Sequence, residues 1–180
     1  MRRLFLMSAL ICVAAVPCLQ AESLDLDLEG SKISFVGTKK DGKHDGGFKK
    51  FSADVDVNWE DPASSTLSMK IDATSIWSDN PKLTNHLKNP DFFDVRKYPE
   101  IKFEATKLEP GEENKGKMTG ELTLLGKTEE VEMSVVSEAS ESMLMVRSEF
   151  KIDRTKWGMD YGQGKVDNDV SVKVQLKFKR

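Results

Sequence analysis

Apolar and polar residues alternate with a period of two along most of the chain, as in strands with one dry face and one wet face. The clearest example is the C-terminal segment 170–178, where five apolar residues interleave with serine, lysine and glutamine. A helical period would not gather those five side chains on one face. The segment is therefore predicted to form one long strand.

Seven further segments alternate in the same way, which brings the predicted number of strands to eight. Connections with turn chemistry, such as Asp61-Pro62 and Gly126-Lys127, predict antiparallel pairing of consecutive strands. The apolar positions of the seven segments are Ile33 and Phe35; Phe51, Ala53, Val55 and Val57; Leu67, Met69 and Ile71; Ile101, Phe103 and Ala105; Met118, Leu122 and Leu124; Val131, Met133 and Val135; and Leu144, Val146, Phe150 and Ile152.

One segment departs from this alternation and has the features of a helix. Asn80 is a suitable helix cap, Pro81 fits a first helical turn, and Asn89-Pro90 provides a stop. Residues 81–89 are therefore predicted to form one short helix.

Eight antiparallel strands can close into a barrel or fold into a sandwich, and periodicity does not distinguish the two. Closure removes the exposed edges that long alternating strands would otherwise present to other chains. The predicted fold is therefore all-β, an eight-stranded antiparallel β-barrel with one short helix. No repeat, linker or low-complexity run interrupts residues 24–180, so a single domain is expected.

The N-terminal segment has a different character from the rest of the chain. Met1-Arg2-Arg3 is followed by the apolar run Leu4 to Val16 and then by Ala21, the three-part layout of a secretory signal. The apolar run is short for a membrane span. Residues 1–21 are predicted to be a signal peptide, with the cleavage bond left open, and residues 22–180 to be the exported domain.

Removal of this segment would change the chemistry available to the domain. Both cysteines, Cys12 and Cys18, lie within it, so the exported domain would have no disulfide, thiolate nucleophile or cysteine metal site. Loss of Arg2 and Arg3 would change the formal net charge from −3 to about −5. Nucleic acid is therefore not an expected partner.

Four blocks of the sequence resemble the signature of the YceI-like family. The longest runs from His86 to Phe103 and reads HLKNPDFFDVRKYPEIKF; the others are residues 43–48, 119–128 and 154–159, in matching order. Together they extend over nearly the whole predicted domain. The resemblance implies a lipocalin-like barrel, exported to the periplasm, whose apolar interior holds isoprenoids or other long-chain amphiphiles.

A long-chain ligand would contact the inward side chains of such a barrel. Aromatic residues and adaptable methionines would suit an isoprenoid chain, and a polar head group would need a contact near an opening. A plain packed core explains the same apolar residues, and it is the family resemblance that favours the ligand. The predicted ligand-binding residues are Phe35, His44, Phe51, Met69, Phe92, Phe103, Met133, Phe150, Arg154 and Trp157.

The polar candidates each have a second interpretation. His44, in a predicted glycine-rich loop, suits a head group or a structural bond, and His86 is better explained as structural. Arg154 suits a phosphate or a quinone carbonyl, although an arginine beside Asp153 is more often an ion-paired surface residue. The segment 158–164 is interpreted as a flexible lid or turn.

The resulting hypothesis is a periplasmic protein that binds or carries a polyisoprenoid, a quinone or another long-chain amphiphile. The alternative is a stress-protective or protein-interaction module with a filled barrel and no ligand. Catalysis is not expected, because no nucleophile, base and oxyanion site can be assembled, and two histidines among scattered aspartates lack metal-site spacing. No cofactor is expected beyond a bound isoprenoid or quinone, and transient membrane contact and dimerisation are left open.

Overall fold

The computed structural model describes residues 21–180. The predicted signal peptide and both cysteines lie outside this range, apart from Ala21. Within it the chain forms eleven strands and one α-helix. The strands are β1 (Glu22–Leu26), β2 (Lys32–Lys39), β3 (Gly42–Phe48), β4 (Phe51–Val57), β5 (Thr66–Asp72), β6 (Ile76–Ser78), β7 (Glu100–Pro110), β8 (Lys115–Leu124), β9 (Lys127–Ala139), β10 (Met143–Asp153) and β11 (Val166–Lys179), and the helix is α1 (Pro81–Leu87).

Eight of these strands close into an antiparallel barrel. Their order is β1, β4, β5, β7, β8, β9, β10 and β11, and β11 pairs back to β1 through Phe178 opposite Leu26. The predicted eight-stranded antiparallel barrel is therefore confirmed, but its set of strands was predicted wrongly at one place, because the ring contains β1 and the predicted segment with Ile33 and Phe35 forms β2 outside it. Because each strand has neighbours on both sides, this ring leaves no open edge.

The remaining three strands, β2, β3 and β6, extend the sheet from β11 toward one end of the barrel. The long strand β11 pairs with β1 near its C-terminus and with β2 nearer its N-terminus, where Val174 lies opposite Ile33. Phe93 covers this extension, because its ring packs 6.3 Å from the Phe35 ring and 5.7 Å from the Phe48 ring, centre to centre. The segment after α1 thus packs against the widened end.

The prediction of a glycine-rich loop around His44 was wrong, because these residues form β3. Gly46 lies opposite Phe35 on β2 and opposite Ser78 on β6. A Cβ added to Gly46 would lie 2.5 Å from Cζ of Phe35 and 2.8 Å from the carbonyl oxygen of Trp77. The glycine therefore allows close approach across the sheet, a role that turn propensity does not distinguish.

The predicted helix is confirmed and ends two residues earlier than expected, at Leu87. The Asn80 side-chain oxygen accepts hydrogen bonds from the backbone N–H groups of Lys82 and Leu83, at 2.9 and 3.2 Å. This cap satisfies two amides that have no partner within the helix. Ser78 of β6 also donates its backbone N–H to Oγ1 of Thr84 at 2.9 Å, which fixes the helix to the widened end.

Candidate ligand-binding cavity

A cavity of about 370 Å³ lies inside the barrel. This volume falls within the range of about 300–1,000 Å³ that is usual for small-molecule sites. Eight of the ten predicted ligand-binding residues line it. They are Phe35, His44, Met69, Phe92, Phe103, Met133, Phe150 and Arg154.

The structure does not bring the other two predicted residues, Phe51 and Trp157, to this cavity wall. Phe51 lies on β4 opposite Ile71, and of these two residues only Ile71 lines the cavity. Trp157 is only 2% exposed, and its indole N–H donates to the carbonyl oxygen of Leu122 at 3.0 Å. Because Leu122 itself lines the cavity, Trp157 stabilises the wall from behind.

The inward side chains of β10 and β11 leave much of the cavity unfilled. Phe150 lies opposite Val172 and Ser148 lies opposite Val174, and all four residues line the cavity. They are half-buried although they face inward. Across the barrel, by contrast, Met69 of β5 is only 7% exposed. The interior is therefore not closed along its length by the protein's own aromatics and methionines.

One end of the barrel is closed by a layer of packed side chains, Leu144, Leu176 and Phe178, which we call the floor. Leu144 lies opposite Phe178, and these two side chains are 7% and 0% exposed. Leu176 is 1% exposed and lines the cavity, whereas the other two do not. The cavity therefore ends at Leu176.

Six polar lining residues lie toward the opposite, widened end, which we call the mouth. They are Thr38 and Lys39 at the end of β2, His44 on β3, His86 on α1, and Arg154 and Tyr161 in the connection from β10 to β11. The cavity thus combines an apolar chamber with polar residues at one end, which suits a ligand that has an apolar part and a polar part.

The aromatic rings of His86, Phe92 and Tyr161 pack against one another at the mouth. The His86 ring is 5.0 Å from the Phe92 ring and 4.8 Å from the Tyr161 ring, and both pairs are edge-to-face. His86 Nε2 also lies 2.9 Å from Oδ2 of Asp91. Tyr161 is 47% exposed, so it forms the outer face of this cluster. Edge-to-face pairs of this kind are favourable, so the cluster holds the side chains of the mouth together.

Tyr161 lies in the segment predicted to be a flexible lid or turn. Gly158, Gly162 and Gly164 in that segment have φ angles of 85°, 69° and 78°, in the left-handed region that glycine readily adopts. Val166 donates its backbone N–H to the carbonyl oxygen of Gly162 at 2.8 Å. The segment is therefore a series of tight turns that carries Tyr161 to the mouth.

His44 is bonded to a carboxylate. Its Nδ1 lies 2.9 Å from Oδ1 of Asp79, and the backbone N–H of Asp45 donates to Oδ2 of the same carboxylate at 3.1 Å. These hydrogen bonds, chiefly the one with His44, hold the pKa of Asp79 below its ordinary value. The pair fixes the His44 ring in the cavity wall.

Arg154 is buried, and the interpretation as an ion-paired surface residue was wrong. It is 2% exposed, and no carboxylate among the described residues lies within ion-pair distance. Its Nε donates to the carbonyl oxygen of Asp167 at 3.1 Å, Nη2 to that of Val166 at 3.3 Å, and Nη1 to that of Met159. Burial lowers the pKa of its guanidinium from the ordinary value.

Two findings concern other kinds of site. Between residues 21 and 180, no group of three or more His, Cys, Asp or Glu side chains is arranged to hold a metal ion. Over the same range, no helix combines the length and the apolar character needed to cross a bilayer.

A family model described as a YceI-like domain matches residues 24–178. The chain belongs to the YceI-like family. Among curated relatives, a UPF0312 protein of Pseudomonas putida strain W619 is 36% identical over 86 residues, which are 48% of this chain and 45% of the relative. A UPF0312 protein of Vibrio parahaemolyticus is 34% identical over 86 residues, 48% of this chain and 46% of that protein. The match thus spans less than half the length of these relatives.

Solved structures resemble this YceI-like barrel over more of its length. BcnA of Burkholderia cenocepacia superposes with a TM-score of 0.80 and 29% identity, covering 85% of this chain and 99% of BcnA. The YCEI protein of Campylobacter jejuni gives 0.69 and 25%, covering 75% and 84%. A polyisoprenoid binding domain from Saccharophagus degradans gives 0.66 and 15%, covering 89% and 99%, and at that identity it shows the shared fold alone.

Several cavity residues of this YceI-like barrel were not among the predicted site residues. Met118 lies on a predicted strand opposite Met133, so its alternation could have identified it. Lys39 and Met159 also line the cavity, but they lie at a strand end and in a turn, where alternation gives no indication. Leu83 could have been found from the helical face that it shares with Leu87, since both line the cavity.

Proposed function

We propose that this barrel binds a long-chain amphiphile, such as a polyisoprenoid or a quinone, and shields its tail from water during storage or transit. The observation that carries the proposal is the cavity of about 370 Å³, enclosed by strands and lined mainly by aliphatic and aromatic side chains. A filled barrel would offer no such volume. The polyisoprenoid binding domain of Saccharophagus degradans supports the proposal through its shared fold.

The energetics of the wall suit a chain-like ligand. Each methylene-sized group removed from water contributes about 0.8 kcal/mol, so a few isoprene units would bind through the apolar surface alone. Met69, Met118 and Met133 all line the cavity. Their unbranched thioether side chains adapt to irregular shapes such as the methyl branches of an isoprenoid. Such a wall supplies contact area, so we propose that the protein acts by binding and not by catalysis.

The proposed location is the periplasm, where a lipid-like molecule must cross an aqueous space between two membranes. The predicted signal peptide, residues 1–21, supports export. Expression of the full chain in a Gram-negative host, followed by osmotic-shock fractionation and mass measurement, tests this point. We expect a shortened protein in the periplasmic fraction. A full-length protein that remains in the cytoplasm would contradict the proposed location.

The binding proposal is tested by native mass spectrometry of the exported protein, followed by organic extraction. We expect a co-purifying long-chain compound. In Val174→Phe, the added ring would occupy the cavity opposite Ser148, so the yield of that compound should fall at least about threefold. Lys173→Phe is the matched control, because residue 173 is exposed on the same strand and does not line the cavity.

The outcome also separates the two candidate functions. Circular dichroism and urea unfolding would verify that both variants remain folded. Repeated absence of any extractable compound from the wild-type protein would contradict the carrier proposal and favour a stress-protective or interaction module. A compound retained equally by both variants would place its site outside this cavity.

A further inference from the structure

Among the described residues, basic side chains line the cavity and carboxylate side chains do not. Lys39, His44, His86 and Arg154 belong to the wall, and no aspartate or glutamate among residues 21–180 does. Composition does not explain this bias, because the chain has 30 acidic side chains and 27 lysines and arginines. Low-dielectric walls that carry one sign of charge concentrate ligands of the opposite sign.

Arg154 is the most buried of the four, and its charge is only partly compensated. Each of its three guanidinium nitrogens donates to one backbone carbonyl. A guanidinium has five N–H groups, so one on each Nη is left beyond those three bonds. Carbonyl dipoles satisfy hydrogen bonds but do not neutralise a unit charge, which is costly to bury without a counter-ion.

The nearby carboxylates are engaged by other groups. Asp153 lies next to Arg154 in sequence, but its Oδ1 accepts hydrogen bonds from the backbone N–H and the hydroxyl of Thr155, at 2.9 and 2.6 Å. Asp167 accepts a hydrogen bond from the Thr38 hydroxyl at 2.6 Å and offers Arg154 its backbone carbonyl only. Asp160, which also acts on Arg154 electrostatically, accepts a hydrogen bond from Nε2 of Gln163 at 3.2 Å. Asp153, Asp160 and Asp167 therefore each have another partner, and none of them lies within ion-pair distance of Arg154.

The carboxylates near the two histidines are likewise engaged. Asp79 is held by His44, and Asp91 lies 2.9 Å from His86. The two permanent cations of the wall, Lys39 and Arg154, belong to the mouth and not to the floor. An amphiphile whose tail fills the apolar chamber would therefore place its head group near both cations.

We propose that the amphiphile bound here has an anionic head group, a carboxylate or a phosphate, which Arg154 and Lys39 receive at the mouth. This inference rests on the proposed function. The planar guanidinium suits these oxyanions because its N–H groups match pairs of their oxygens, whereas a neutral alcohol would leave the charge uncompensated. Lys39 is exposed, so its contribution is the smaller of the two.

The test compares ligands that differ only in the head group. The pairs are palmitate with 1-hexadecanol, and geranylgeranyl monophosphate with geranylgeraniol. Each competes with a neutral fluorescent naphthylamine for the exported protein, below micelle formation and at 0.15 M salt. We expect the anion of at least one pair to bind at least about tenfold more tightly than its alcohol. The pair with the larger ratio identifies the head group as carboxylate or phosphate.

Variants then locate the preference. Arg154→Gln should reduce the anion-to-alcohol ratio to about one, Lys39→Gln should reduce it about two- to threefold, and Lys40→Gln should leave it unchanged. Lys40 is the matched control because it is exposed and does not line the cavity. Because the ratio is taken within one protein sample, partial unfolding of a variant lowers both affinities and not their ratio.

Failure of this inference differs from failure of the proposed function. Equal binding of anion and alcohol by the wild-type protein would overturn the anionic head group and leave the carrier proposal in place. A ratio that survives in both Arg154→Gln and Lys39→Gln would overturn the assignment of these residues. Failure of all four ligands to displace the naphthylamine would count against both proposals.

Discussion

The floor and the apolar chamber beside it are built on the same strands, yet the floor is packed and the chamber is hollow. Along β11, Phe178 and Leu176 are 0% and 1% exposed, whereas Val174 and Val172 remain half-buried although they face inward. The alternation of β11 is unbroken between them. The hydrophobic pattern therefore fixes which side chains point inward, and a second property decides whether they meet.

That second property is side-chain volume across each pair of strands. At the floor, Phe178 lies opposite Leu144, and both side chains are packed in the barrel interior. Two pairs further along, Val174 lies opposite Ser148, and neither side chain is long enough to reach across the barrel. The cavity therefore begins between the large Phe178–Leu144 pair and the small Val174–Ser148 pair.

Truncation of the floor should have the largest effect. Phe178→Ala should lower the free energy of unfolding by about 3–5 kcal/mol, because it removes a fully buried aromatic ring and leaves a cavity. Val172→Ala, on the same strand but bordering the existing cavity, should cost only about 1 kcal/mol. Urea unfolding followed by circular dichroism measures both.

Lys179→Ala is the control for strand pairing, because residue 179 is exposed and adjacent to Phe178. Its stability should change by less than about 0.5 kcal/mol. Equal losses for Phe178→Ala and Val172→Ala would contradict the distinction between a packed floor and a hollow chamber. Such a result would mean that β11 is packed uniformly along its length.

At the mouth, the expected effect is on exchange of ligand and not on stability. Tyr161→Ala removes the ring that stacks 4.8 Å from His86 and 5.2 Å from Phe92. Aromatic pairs contribute about 0.5–1.5 kcal/mol each, so release of a bound naphthylamine should be about two- to tenfold faster. Stopped-flow dilution measures the rate.

Tyr161→Phe keeps the ring and should release the naphthylamine at the wild-type rate. The free energy of unfolding should change little in Tyr161→Ala, since the residue is 47% exposed in a turn. An unchanged release rate in Tyr161→Ala would show that ligand leaves by a route that does not pass this aromatic cluster.

The barrel could be predicted from the sequence because its strands alternate strictly, and β11 is the best example. The prediction failed at β3, because Gly46 reads as a turn residue while its role is to let Phe35 and Trp77 approach. The strand β6, with three residues, is too short to give a periodic pattern, whereas β1 could have been recognised from the alternation of Leu24 and Leu26. The alternation thus identified the long strands and missed the short strands β1 and β6 and the glycine-containing strand β3.

The cavity was less accessible to sequence reasoning. Ser148 interrupts the apolar positions of β10, and this gap could have been read as a small residue facing inward. Arg154 could not have been placed, because its partners are backbone carbonyls of Met159, Val166 and Asp167, in a connection whose path depends on the whole barrel. A charge beside Asp153 suggests the surface, and only tertiary structure shows that it is buried.

The smallest expected effect concerns the Asp79–His44 pair at the mouth. The pKa of Asp79 is lowered in the folded protein, chiefly by the hydrogen bond with His44. A carboxyl with a lowered pKa stabilises the folded state at pH values above its ordinary pKa of 3.8, and this contribution is lost as the pH falls below that value.

Asp79→Asn should therefore be slightly less stable than the wild type at pH 6, and the difference should shrink toward pH 3. Parallel urea titrations from pH 6 to pH 3 measure this difference, with Asp54→Asn, on the exposed face of β4, as the control. A constant difference across that range would mean that the Asp79 carboxylate contributes through shape and not through its charge.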